Sequence, residues 1–361
     1  MNAFVADPQW GWWIIGYFFL GGIAAGTYFM STLIDLVGSK EDRELSRIGY
    51  RIAFPLIIVC GAFLTLDLEK PERFWHMLFR SEVVAEAQTT HSWGELLQAP
   101  LLKYWSPMSA GSWALFLFGA FSFVSFLGSF RHLEKRTGII GHCFQLLGCV
   151  VGFFVAAYTG ALLSATNQPV WSDSVWVAPL FLMSAASTGI AVMLLLAGRR
   201  LTVSGASLAR LGHADAWTLI LELLVFLIFL QSLGALLGPV WETINGKIMI
   251  VGTLTFGLAL PIVIHIAGGL KHKPGMITVS LSVLLAGFLL RYSIVTTPRE
   301  VMARATSEEM AVPEPKLSTA GIKYPPHFSP EDGRMPGDTL GSYPINQTGP
   351  VIPRSKVRSN P

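Results

Sequence analysis

Eight stretches of this 361-residue chain are each apolar over about 20 residues, the helical length that crosses roughly 30 Å of hydrocarbon. They run from Trp12 to Leu36, Ile48 to Leu66, Pro107 to Phe130, Ile139 to Ala165, Val175 to Ala197, Ala216 to Leu237, Ile248 to Leu270 and Met276 to Val295. Lipid offers the backbone no hydrogen-bond partners, so such runs must become helices. The expected fold is an all-α integral membrane protein, an eight-transmembrane-helix bundle over residues 1–297. Charged residues make up only 14% of the chain, too few to solvate a soluble domain of this size. The first run is expected to stay as a helix, because residues 1–9 hold no Lys or Arg and no small-residue cleavage pattern follows.

Basic residues orient the bundle. The connections after helices one, three, five and seven carry Lys40, Arg43, Arg47 and Arg51, then Arg131, Lys135 and Arg136, then Arg199, Arg200 and Arg210, then Lys271 and Lys273. The other connections carry only Lys70, Arg73, Arg80, Lys103 and Lys247. The positive-inside rule therefore puts both termini on the outer, periplasmic face of a bacterial inner membrane. Two outer segments are long. Residues 68–106 place Phe74, Trp75, Leu78 and Phe79 at interfacial-helix spacing and read as a lid. Residues 298–361 hold 11 of the 21 prolines and read as an extended tail ordered by a partner, the alternative being a disordered terminus.

Several functions are excluded. A net charge of +3 with no basic stripe leaves no footprint for nucleic acid. Cys60, Cys143 and Cys149 lie in apolar runs without CxxC or CxH spacing, so no iron–sulfur, zinc or disulfide framework is encoded. Only His142 and His265 stand in the spans, too few for a two-haem cytochrome. No Walker loop, GxGxxG turn or HExxH is present. The chain is expected to carry no haem or cluster, and any redox centre must come from elsewhere.

An ionisable residue deep in a span is costly and points to function. Near the outer ends stand Asp67, Glu69, Arg73, Tyr158, Asn167 and Arg291, which could share one polar pocket. Toward the inner side stand Asp35, His142, Glu222 and His265, which could form a proton path. Asp35, His142 and Asp215 also suit ordinary positions near helix ends, and Arg291 suits snorkelling equally well. Glu222 either pairs, most simply with His265, or is held neutral. Gly22 and Gly26 read as helix-packing residues.

The segments YFFLGGIAAGTYF (17–29), LDLEKPERFW (66–75), SPMSAGSW (106–113), AYTGALLSATNQPVW (157–171) and PLFLMSAASTG (179–189) occur in this order on helices one to five. Together they resemble the NrfD/PsrC family of polysulfide reductase-type membrane subunits, over residues 10 to about 295. The resemblance implies an eight-helix subunit that binds menaquinone or ubiquinone. It further implies a four-cluster ferredoxin-like iron–sulfur subunit and a molybdopterin catalytic subunit docked on the outer face. It places the quinone pocket at Tyr158 and at Glu69 with Asp67. Tyr17 stands where some members use another polar residue of helix one, and Arg73 and Asn167 match family positions.

The expected function is a quinone-reactive subunit of a respiratory redox complex, incomplete as an enzyme alone. Oxidising a quinol needs partners for the ring oxygens and a carboxylate to take a proton, which Tyr158 and Glu69 supply. Trp75, Trp105 and Trp113 could hold the ring and tail, or simply anchor the interface. An ion- or proton-coupled transporter is the competing reading.

Overall fold

The computed structural model describes residues 10–78, 106–130, 134–198 and 203–311, all but 75–76, 134–140 and 306–311 of these with their side chains. The helices are α1 (Trp12–Val37), α2 (Arg43–Leu66), α3 (Pro107–Gly128), α4 (Glu134–Ser164), α5 (Val177–Ala197), α6 (Gly205–Ser232), α7 (Ile244–Ile266) and α8 (Lys273–Ala311). Among the described residues these eight contain every helix long and apolar enough to cross a membrane. They alternate in direction. One end of the bundle carries the end of α2 and the start of α3, and the other carries the α1–α2 turn.

The bundle is apolar outside and partly polar inside, as a lipid solvent demands. Leu224, Trp217, Val150 and Ile266 are exposed, while Thr27, Ser31, Ser184, Ser187 and Thr188 are buried. With no hydrophobic drive between helices in lipid, close approach of backbones supplies the attraction. At the α1–α5 crossing Gly26 and Gly189 touch backbone to backbone, and a Cβ on either would run into the other helix.

Local chemistry sets the helix ends. Ser106 caps α3 by accepting from the Ser109 N–H, with Pro107 in the first turn. Ser204 caps α6 in the same way through Ser207. Consequently α6 begins eleven residues before the apolar run at Ala216, and Glu222 lies deeper than the run implies. Within α7 the backbone widens into a π-helical stretch at Ile248–Ala259, and Ser282 of α8 donates to the Phe256 carbonyl inside it.

The largest departure from the sequence reading is α8. It continues past Val295 through Pro298 to Ala311, where an extended tail is expected from 298. Proline removes the N–H that should satisfy the carbonyl four residues earlier. That carbonyl, on Ile294, accepts instead from the Trp171 indole N–H at 2.6 Å. The lid residues 79–105, including Phe79 and Trp105, the side chain of Trp75 and the tail from 312 lie outside what the structure describes.

Candidate functional site

A cavity of about 610 Å³ opens at the Asp67 end, walled by α1, α2, α3, α4 and the 3₁₀ turn Pro71–Met77. Its size falls in the range of pockets that hold small organic ligands. The walls are almost wholly apolar. Polar groups gather at one end, where Tyr17, Asp67 and Tyr158 stand with Thr65 and Ser112.

Each is placed by its element. Tyr17 is buried one turn into α1. Tyr158 lies on α4, stacked on Phe154 with ring centroids 5.6 Å apart, and its hydroxyl donates to the Pro107 carbonyl at 2.5 Å. Its oxygen also lies within reach of the Gly111 backbone N–H, and a second lone pair remains to accept. Gly111 of α3 permits this packing, since a Cβ there would collide with the Tyr158 ring. Asp67 closes α2, its N–H donating to Phe63 O at 3.0 Å. Partial burial raises its carboxyl above the ordinary value. The turn that follows contributes Phe74, Met77 and Leu78 to the wall, and the Trp113 indole pins it by donating to the Leu78 carbonyl at 2.7 Å.

Of the seven pocket residues expected from sequence, the structure brings Tyr17, Asp67 and Tyr158 together. Glu69, Arg73 and Asn167 are exposed nearby without lining the cavity. Arg291 is elsewhere. With α8 extended to Ala311 it sits in mid-helix, fully buried rather than snorkelling. Its Nε donates to Phe18 O at 3.0 Å, and its Nη1 to Ser184 Oγ at 3.0 Å and Gly287 O at 2.8 Å. A Cβ on Gly22 would stand 2.6 Å from its Nη2, so Gly22 makes room for a guanidinium.

The four expected proton-path residues fall into two groups. Asp35 and His142 line a separate polar cavity of about 140 Å³ at the opposite end, with Arg43, Arg47 and Tyr50. Glu222 is buried on α6, facing Ser184, Ser187 and Arg291. His265 does not pair with Glu222. Its Nε2 meets Asp215 Oδ2 at 2.8 Å, because the early start of α6 sets Asp215, two turns before Glu222, at the depth of His265. Asp215 is wholly buried and its Oδ1 has no hydrogen-bond partner among the described residues. Read from sequence as an interfacial residue, it is the functional candidate missed there. Its seven-residue spacing from Glu222, which puts both on one helix face, was the available signal.

The class defined so far is a polytopic helical membrane protein with a ligand-sized cavity, polar at one end. The chain belongs to the NrfD family: the family model described as "Polysulphide reductase, NrfD" matches residues 4–302. It is 27% identical to a polysulfide reductase polypeptide of Wolinella succinogenes over 319 residues, 79% of this chain and 92% of that protein. It is 32% identical to a selenate reductase polypeptide of Mesobacillus selenatarsenatis over 78 residues, 22% of this chain and 18% of that one. It is 22% identical to the Hdr-like menaquinol oxidoreductase integral membrane subunit of Archaeoglobus fulgidus over 197 residues, 54% and 43%. These similarities place the chain as a membrane subunit of a redox complex.

Proposed function

We propose that this chain is the quinone-reactive subunit of a bacterial respiratory complex, passing electrons between menaquinol or ubiquinol and an outer-face iron–sulfur subunit bound to a molybdopterin catalytic subunit. The observation that carries this reading is the convergence of Tyr17, Asp67 and Tyr158 at one end of a large apolar cavity. A quinone has the same division, a ring with two polar oxygens on an apolar body. The name of the archaeal relative, a menaquinol oxidoreductase subunit, supports it.

On this reading the Tyr158 oxygen accepts from a hydroxyl of the ring through its remaining lone pair. Asp67, at the mouth and with a raised affinity for protons, takes the proton released when electrons leave. The Pro71–Met77 turn keeps water from the ring, and the electrons pass to the partner subunit.

Tyr158→Phe in the intact complex tests it. The expected result is a complex that assembles but loses most quinol oxidation; undiminished oxidation with menaquinol and ubiquinol overturns the assignment.

The second cluster supports proton movement coupled to this chemistry. Asp215–His265, Glu222 and Arg291 run from the Asp35 end toward Phe18, next to the cavity wall at Tyr17. Buried ionisable groups in lipid are retained for such work.

A further inference from the structure

Among the described residues Val170, in the connection from α4 to α5, is the only one other than glycine in the left-handed region, at φ 71°. A β-branched side chain is poorly tolerated there, and such strain persists only where surrounding contacts hold it. Those contacts are specific. The Val170 N–H donates to Asp173 Oδ2 at 3.0 Å, and Val170 and Trp171, neighbours in sequence, are both buried. An extended backbone would send the two side chains to opposite faces, so the kink at Val170 turns Trp171 inward beside it. The Trp171 ring stacks on Trp10, with centroids 5.2 Å apart and planes at 20°. Trp10 in turn lines the cavity at the end that holds Asp67, and Phe18 meets it edge-on at 6.0 Å. It stands before α1 begins, so these contacts rather than a helix fix its ring. Both tryptophans are also tied to α8, one on each side of Pro298: the Trp171 indole donates to Ile294 O at 2.6 Å, and the Trp10 carbonyl accepts from Arg299 Nη2 at 3.2 Å.

We infer that Trp171 is a positioning residue for the ring of the bound quinone, acting through Trp10, and that the strained turn at Val170, tied by Asp173, holds it in place. The inference rests on the quinone reading of the cavity. Val170, Trp171 and Asp173 do not themselves line the cavity. Their effect reaches it through one stacked pair of indoles, whose flat faces fix an aromatic wall at small entropic cost. Asp173 is exposed, so the tie that sets this wall lies at the surface of the protein.

The test measures menaquinol and ubiquinol oxidation by the intact purified complex. Trp171→Leu removes the stack, and Asp173→Ala, a surface change, removes the acceptor of the Val170 N–H. Each is expected to raise KM for the quinol about fivefold or more with kcat changed by less than about twofold, the pattern of a lost binding contact. Asp173→Asn keeps an oxygen for the Val170 N–H and is expected to restore the wild-type KM. A loosened fold alone would not give this rescue. Trp171→Leu is also made in a Trp10→Ala complex, where it is expected to raise KM no further, because the residue it acts through is already gone. KM within about twofold of wild type in both single variants, an Asn variant that behaves like Ala, or a second rise of the same size in the Trp10→Ala complex overturns the inference and leaves the loop a packing role. If the wild-type complex oxidises neither quinol, the quinone reading itself fails.

Discussion

Arg291, which faces Glu222, shows how a buried charge is made tolerable inside a membrane protein. Three of its hydrogen bonds go to carbonyl or hydroxyl oxygens, and the face of its guanidinium lies 5.4 Å from the Phe181 ring centroid. The arrangement depends on the absent side chain at Gly22. Gly22→Ala is expected to displace the guanidinium and lower the midpoint of thermal unfolding in detergent, whereas Gly205→Ala, whose Cβ meets nothing within 4 Å, leaves it in place. Asp67 makes a different prediction. If it is the proposed base in quinol oxidation it must be ionised, and its raised affinity for protons moves the acid limb of the rate upward in pH. Quinol oxidation is expected to fall as pH drops through that value, and Asp67→Asn to abolish the limb together with most of the rate. That Asp67 and Tyr158 could share one polar pocket was legible from their residue types near span ends, and Tyr17 was legible only through the family resemblance; all three line the cavity. That Glu69, two residues on from Asp67, does not line the cavity was not legible, because a turn rather than a helix follows Leu66 and the spacing carries no face.

At the scale of elements, α8 holds the main surprise. Proline in a helix reads as a stop, and here it reads correctly as a broken hydrogen bond but wrongly as an end, because Trp171 supplies the missing donor from the loop after α4. The same loop holds Val170 in the left-handed region at φ 71°, its N–H tied to Asp173 at 3.0 Å. Trp171→Phe leaves the Ile294 carbonyl unsatisfied and is expected to cost about 1–3 kcal/mol. In a Pro298→Ala background, where the helix regains its own donor, the same change should cost less. A double-mutant cycle by thermal unfolding measures the difference, and additive effects would contradict the pairing. The glycine motif GGIAAG was legible as a packing stripe, and Gly26 packs as expected against α5. Gly22, one turn earlier on the same stripe, serves Arg291 instead, a distinction that depends on what lies opposite.

At the scale of the molecule, the polar interior is divided. The Asp35–His142 cavity lies among α1 to α4, while Asp215–His265, Glu222 and Arg291 lie among α5 to α8 and reach α1 through Phe18. If the second group carries protons, Glu222→Gln in liposome-reconstituted complex should suppress proton uptake while quinol oxidation persists, and Asp35→Asn should leave uptake intact. Unchanged uptake in Glu222→Gln, measured with a pH-sensitive dye, would remove that group from the path.

Eight apolar runs of spanning length are a property of composition along the chain, and the bilayer leaves such runs no conformation but the helix. Helix number, the alternation of direction and the family were therefore readable from residues alone. Which ionisable groups meet is a property of depth and rotation, and both depend on where each helix starts and on which neighbour it packs against. Ser204 begins α6 early enough to hand His265 to Asp215, and Trp171 carries α8 through Pro298 so that Arg291 lies in mid-helix. The space left open at Gly61 between α2 and α3 likewise exists only once both helices are in place.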